Sequence, residues 1–262
     1  MTRDYRPIAA GFIVALIFGF SFLFSKSGLK LVPPYHLLAL RFGLALMLFI
    51  CLQLFGVIKL NFKGKKIYSL LLLSLFEPVL YFICETKGLS LTTSSEAAMI
   101  IALVPVASTL LAVFILRERP SLQQLGFITL SVSGIFLIIF MKENIQLGSN
   151  IAGIYILLIG VIAAGFYTVL SRKLSVDFSP VEITYVMIWV GAVVFNGISL
   201  IQHIQAGNLG EYFKPLNDWD VLITIVYLGA ISSVVAYFMF NFMVSKMEAS
   251  RSSVFMNLST VF

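Results

Sequence analysis

Glu77, Tyr81 and Glu85 stand at i, i+4 and i+8 inside an otherwise apolar run, so on a regular helix the three side chains share one face. Pro78 bends that helix beside them. An ionisable group in such surroundings costs about 2.5 to 3.5 kcal/mol on insertion scales, so each one needs a reason. Kept from water, Glu77 could load and unload a proton or pair with the cationic group of a small molecule. The plainer alternative is a protonated or arginine-paired glutamate that ties helices together. Glu85, nearer the end of the run, is the second candidate. Tyr167, Ser232, Tyr237, Asn241 and Asn257 place hydroxyls, rings and amides in other apolar stretches. Together they could form a pocket that reads small amphipathic metabolites by stacking and a few hydrogen bonds, or act as hydrogen-bonded glue between helices. Arg41 begins about a turn and a half into its own run and is expected to snorkel outward in a structural role, with anion binding as the alternative.

Other reactive residues have simpler explanations. Cys51 and Cys84 both fall in apolar segments, so neither a disulfide framework nor a metal cluster is expected. His36 and His203 lie near the ends of their runs without a partner histidine at ligand spacing, and read as interfacial. Ser179-Pro180-x-Glu182 is a capping box with proline at the first helical position, which accounts for Glu182. HExxH, G-x-S-x-G and Walker patterns are all missing, so enzymatic chemistry, ATP use and a cofactor are not expected.

The elements that must position these residues are membrane spans. Sixty percent hydrophobic residues, 11% charged residues and a mean hydropathy of +1.01 over 262 residues exclude a soluble domain. The net charge of +6 is dispersed between apolar blocks, which excludes a nucleic-acid surface. Blocks of spanning length recur near 8–25, 36–58, 67–87, 97–116, 122–141, 151–171, 181–202 and 221–244, and a ninth begins at Ala249. The first reads as an uncleaved span, because no small-x-small cleavage site follows it. The best-marked unit is 94–134. Thr93 and Glu96 form a capping box, 20 uncharged residues run from Ala97 to Leu116, Arg117 to Pro120 stop the helix, and Ser121 with Gln124 caps the next. Pro105 sits mid-helix in that unit and reads either as a kink beside a pathway or as a structural bend. Gly11, Ala15 and Gly19 make a small-residue seam along the first span, for packing and for sliding during gating.

Loop charges and an internal repeat set the topology. With the N-terminus inside, Arg3, Arg6, Lys59, Lys63, Lys65, Lys66, Arg117, Arg119, Arg172, Lys173, Lys246 and Arg251 are cytoplasmic, and Lys26, Lys30, Lys87, Lys142 and Lys214 are outside. Gly19 through Lys26 aligns with Gly165 through Arg172 at an offset of 146, which also sets Pro34 on Pro180. Farther on, an offset of 155 sets Phe82 on Tyr237, Leu103 on Leu258 and Val106 on Val261. Five spans in the first copy, residues 1–144, force the second, 145–262, to enter the membrane inverted. The repeat projects a tenth span and the rest of the ninth beyond Phe262.

In these features the chain resembles the drug/metabolite transporter superfamily and, within it, the EamA type. The likeness rests on Gly19 after an aromatic first span, Arg41, Leu103-x-Pro105, Glu118, and Gln124-x-Gly126 with Gly134, and it covers nearly the whole chain in two copies. Thr260 stands where the repeat would place a second proline, and a tenth span is lacking. The resemblance implies ten helices with both termini cytoplasmic and a central cavity lined by spans 1, 3, 4, 6, 8 and 9. It also implies a carrier of amino acids, nucleosides or related metabolites, working outward across the bacterial cytoplasmic membrane. A proton is a candidate coupling ion. A channel or a structural membrane subunit is the competing reading, though the pore-lining polar stripe or docking domain expected of one is not evident.

Overall fold

The computed structural model describes residues 5–141 and 151–259, and among them all regular structure is helical. Seven segments are long and apolar enough to cross a bilayer, and α7 (Leu122–Met141) adds a further 20-residue helix without a charge. Every block expected from the sequence is therefore a helix. Arg3, Lys142, Thr260 and Val261, each used in the sequence argument, lie outside the described residues.

Three spans depart from regular α-helix, and prolines account for the breaks in the third and fourth. α1 (Arg6–Gly28) and α2 (Pro34–Leu54) are continuous. The third span divides into α3 (Tyr68–Ser74), a π-helical turn at Leu75–Leu80 and α4 (Tyr81–Leu91). Glu77 leaves helical geometry altogether, at φ −146° and ψ 120°, immediately before Pro78, because the residue preceding a proline is pushed out of the α region. The fourth span divides into α5 (Ser94–Ile101) and α6 (Val104–Ile115), with Pro105 in the first turn of α6. Thr93 and Glu96 form the expected capping box at the start of α5, and Ser121 and Gln124 exchange the same two bonds before α7.

The second half repeats the plan. α8 (Ile151–Leu174) and α9 (Pro180–Gln205) are continuous, and α9 opens on the Ser179/Glu182 box. The eighth span comprises α10 (Trp219–Val226), a π-helical stretch at Tyr227–Ala236 and α11 (Tyr237–Lys246). α12 (Ala249–Leu258) starts the ninth.

Packing follows the inverted repeat. α1 lies against the eighth span, and its counterpart α8 lies against the third. α1 also meets α12, as α8 meets α6; α2 pairs with α9, and α12 with α6. Exchanging the halves converts each of these contacts into another or into itself. Two groups result, spans 1, 8 and 9 against spans 3, 4 and 6, with α2 and α9 closing the flank. Small residues set the closest approaches. A Cβ on Gly11 would stand 2.6 Å from the Phe255 ring of α12, and Ala15 is wholly buried, so the seam on α1 is a packing surface.

Candidate functional site

Between the two groups lies a cavity of about 40 Å³. Its wall is built from Phe18, Ser21 and Phe22 of α1, Arg41 of α2, and Glu77, Tyr81, Phe82 and Glu85 of the third span. Ile101 and Val104 flank the break in the fourth span, so the Pro105 kink borders the cavity. Ala164 and Thr168 of α8, Ser232, Tyr237 and Phe240 of the eighth span, and Met256 and Ser259 complete it. A water needs roughly 10 to 15 Å³ of such space and small-molecule sites run to several hundred, so the cavity is small by that measure.

The polar groups meet across the repeat. Tyr237 donates its hydroxyl proton to Glu77 Oε1. Arg41 donates from Nε to Ser233 Oγ at 2.8 Å and from a terminal nitrogen to Ser232 Oγ at 3.1 Å, and its guanidinium lies 4.4 Å from the centre of the Phe82 ring. Ser21 donates to the Ile17 carbonyl at 2.8 Å and is 2.9 Å from Ser232 Oγ. Arg41, Glu77 and Glu85 are 3%, 6% and 7% exposed, so one cation and two carboxyl groups share a wall nearly closed to solvent. Among the described residues no group of three or more His, Cys, Asp or Glu could hold a metal.

Glu77, Tyr81 and Glu85 do converge, although the helix between them is not regular. The residue mis-assigned by sequence is Arg41, which does not snorkel. The π-helical stretch of the eighth span brings two serine hydroxyls to its guanidinium, and those partners replace the water that an outward route would have reached. Ser232 and Tyr237 also line the cavity. Tyr167 and Asn241 stand behind the wall in a closed network. Asn241 Nδ2 donates to Thr184 Oγ1 at 3.0 Å, and its Oδ1 accepts from Ser171 at 2.7 Å and from Tyr167 at 3.1 Å, which ties α8, α9 and α11 together. Asn257 is on α12 and not on the wall, where Met256 and Ser259 stand instead. Gly19 is buried in α1, directly after Phe18 and about one turn before Phe22.

The histidines lie near the ends of their helices, as expected, and also meet each other. His36 and His203 stack edge to face with centroids 4.6 Å apart, and His36 Nε2 lies 2.9 Å from the Tyr212 carbonyl. Their runs are paired by α2 and α9, a contact that no local spacing reports. Glu182 does more than cap: Lys65 Nζ is 2.7 Å from its Oε2, and the Asn61 N–H donates to its Oε1 at 3.0 Å.

Comparison with known proteins agrees with this architecture. The EamA-like transporter family matches residues 6–140 and again 151–262. The uncharacterized transporter YcxC of Bacillus subtilis (strain 168) is 36% identical over 252 residues, covering 96% of this chain and 81% of its own. An uncharacterized transporter of Archaeoglobus fulgidus is 25% identical, over 93% of this chain and 82% of its own. The protein PagO of Salmonella typhimurium is 22% identical, over 92% and 77%. A solved crystal structure superposes with a TM-score of 0.76 over 99% of this chain and 87% of that one, at 17% identity, and shares the fold. Two copies of one unit, a multi-pass helical bundle and a cavity lined by both copies agree with one assignment: the chain belongs to the EamA-like transporter family.

Proposed function

We propose that the chain is a secondary carrier that exports small metabolites such as amino acids or nucleosides across the bacterial cytoplasmic membrane by alternating access. The observation that carries this reading is the cavity lined by both halves, where Arg41, Glu77 and Glu85 meet among aromatic and aliphatic side chains. An amino acid matches that wall: its carboxylate complements the guanidinium, its ammonium complements a carboxylate, and Phe18, Phe22 and Phe240 receive an apolar side chain. Glu77, held by Tyr237 rather than by a permanent cation, is the group to exchange a proton for substrate charge. Residues 1–144 and 145–262 form the two inverted units, a division supported by the family matches at 6–140 and 151–262. The cytoplasmic N-terminus follows from the loop charges.

The test is counterflow in proteoliposomes with labelled amino acids and nucleosides against unlabelled internal pools, with and without a pH gradient. Saturable exchange of one compound class is expected. Flux that rises linearly with concentration and shows no counterflow would replace the carrier by a channel.

A further inference from the structure

Lys26 and Arg172 occupy equivalent places in the two halves, each in the last turn of its span and each following a buried serine, Ser25 or Ser171. The offset of 146 that aligns spans one and six sets one on the other. Both reach across the bundle to the same kind of target. Lys26 Nζ donates to the Leu89 carbonyl at 2.7 Å and the Thr92 carbonyl at 2.8 Å, at the end of α4. Arg172 donates to the Ser245 carbonyl at 2.5 Å and the Val244 carbonyl at 3.3 Å, at the end of α11. Leu89 and Val244 are related by the second offset, 155. Both helices stop the same way, on an extended cap residue, Thr92 or Met247, that leaves the last carbonyls without helical partners. A cation there also meets the negative end of the helix dipole.

We propose that Lys26 and Arg172 are the two gate residues of the carrier, each closing one end of the cavity by clasping a helix of the opposite group. Lys26 joins the group of spans 1, 8 and 9 to span 3; Arg172 joins the group of spans 3, 4 and 6 to span 8. Because the halves are inverted, the two clasps lie at opposite faces of the membrane. Glu118 reinforces the Arg172 end, accepting from the backbone N–H groups of Ala249 at 3.1 Å and Ser250 at 3.3 Å, and from Ser250 Oγ at 3.2 Å, at the start of α12. With both clasps made, the cavity is small, as observed. Alternating access then consists of releasing one cation while the other holds. This assignment rests on the carrier reading, yet it can be tested without a substrate.

A single reporter, Ala164→Cys on the cavity wall, is placed in a Cys51→Ser, Cys84→Ala background, and a membrane-impermeant maleimide is applied from either side of sealed vesicles. Lys26→Ala is expected to speed labelling roughly tenfold from the Lys26 face alone, and Arg172→Ala from the opposite face alone, the scale of losing a charge-assisted hydrogen bond. Lys26→Arg and Arg172→Lys, which keep the cation, label at the parental rate. The milder Lys26→Gln and Arg172→Gln give the same two directions at smaller amplitude, so the prediction survives if an alanine variant does not fold. Equal changes from both faces, or none, would reduce the contacts to ordinary helix capping and overturn the proposal. Directional labelling with no counterflow of any compound would uphold the gates while removing the carrier.

Discussion

The third and eighth spans hold equivalent positions, break at equivalent points and contribute opposite chemistry. The offset of 155 sets Glu77 on Ser232, Phe82 on Tyr237 and Glu85 on Phe240, and both members of each pair line the cavity. Arg41 has Met187 as its counterpart at the offset of 146. Among the described residues, every ionisable carboxyl and guanidinium group on the wall thus comes from the first half, and the second half contributes the hydroxyls that hold Arg41 and Glu77. Duplication provides the broken helices and the paired contacts. At the cavity wall the copies diverge in charge.

The largest effect is expected where that divergence is removed. Glu77→Gln keeps the shape but loses the charge, and should lower counterflow by about 100-fold and abolish its response to pH while folded protein is retained. Unchanged uptake with unchanged pH dependence would take Glu77 out of the mechanism. Moving the carboxylate instead, in Glu77→Ser with Ser232→Glu, sets it against the Arg41 guanidinium, which now lies 3.1 Å from Ser232 Oγ; the resulting ion pair should leave transport as low as in Glu77→Gln. Recovery of transport would mean that the two break points are interchangeable.

Arg41→Met tests the other sign. It strips Ser233 of its donor and leaves Ser232 only the bond from Ser21, and should reduce transport about tenfold and stability by about 1 to 3 kcal/mol, read as thermal unfolding in detergent. Tyr237→Phe leaves the second-half ring and removes only its bond to Glu77, for a loss of about fivefold in transport with little change in unfolding. Smallest is Thr93→Ala at the α5 capping box, at about 1 kcal/mol of stability and no change in substrate preference, because that cap is a feature of the scaffold. A change in preference there would show that the scaffold and the recognition wall are not separable.

How far the sequence could be read follows the range of the interactions. Spans are legible because some 20 apolar residues cannot be accommodated otherwise, and caps such as Thr93 with Glu96 because both partners lie within one turn. Glu77 and Glu85 stand out because charge in lipid is expensive. Arg41 misled because its outward route is visible in its own helix, whereas the serines that hold it inside are nearly 200 positions away. Separation along the chain likewise hid the His36–His203 stack and the Asn241 network, whose members are individually unremarkable polar residues in apolar runs.

The π-helical stretch at Tyr227–Ala236 has one more consequence. Its wider turns accommodate more residues than the 3.6 of an α-helix, and the adjacent Ser232 and Ser233 both reach one guanidinium from it. Deleting a single residue from this stretch would let it tighten to α-helical turns, so that two adjacent serines would no longer share the guanidinium while the helix that follows keeps its facing. Chain length here, counted in single peptide units, is as much a determinant of the site as any side chain.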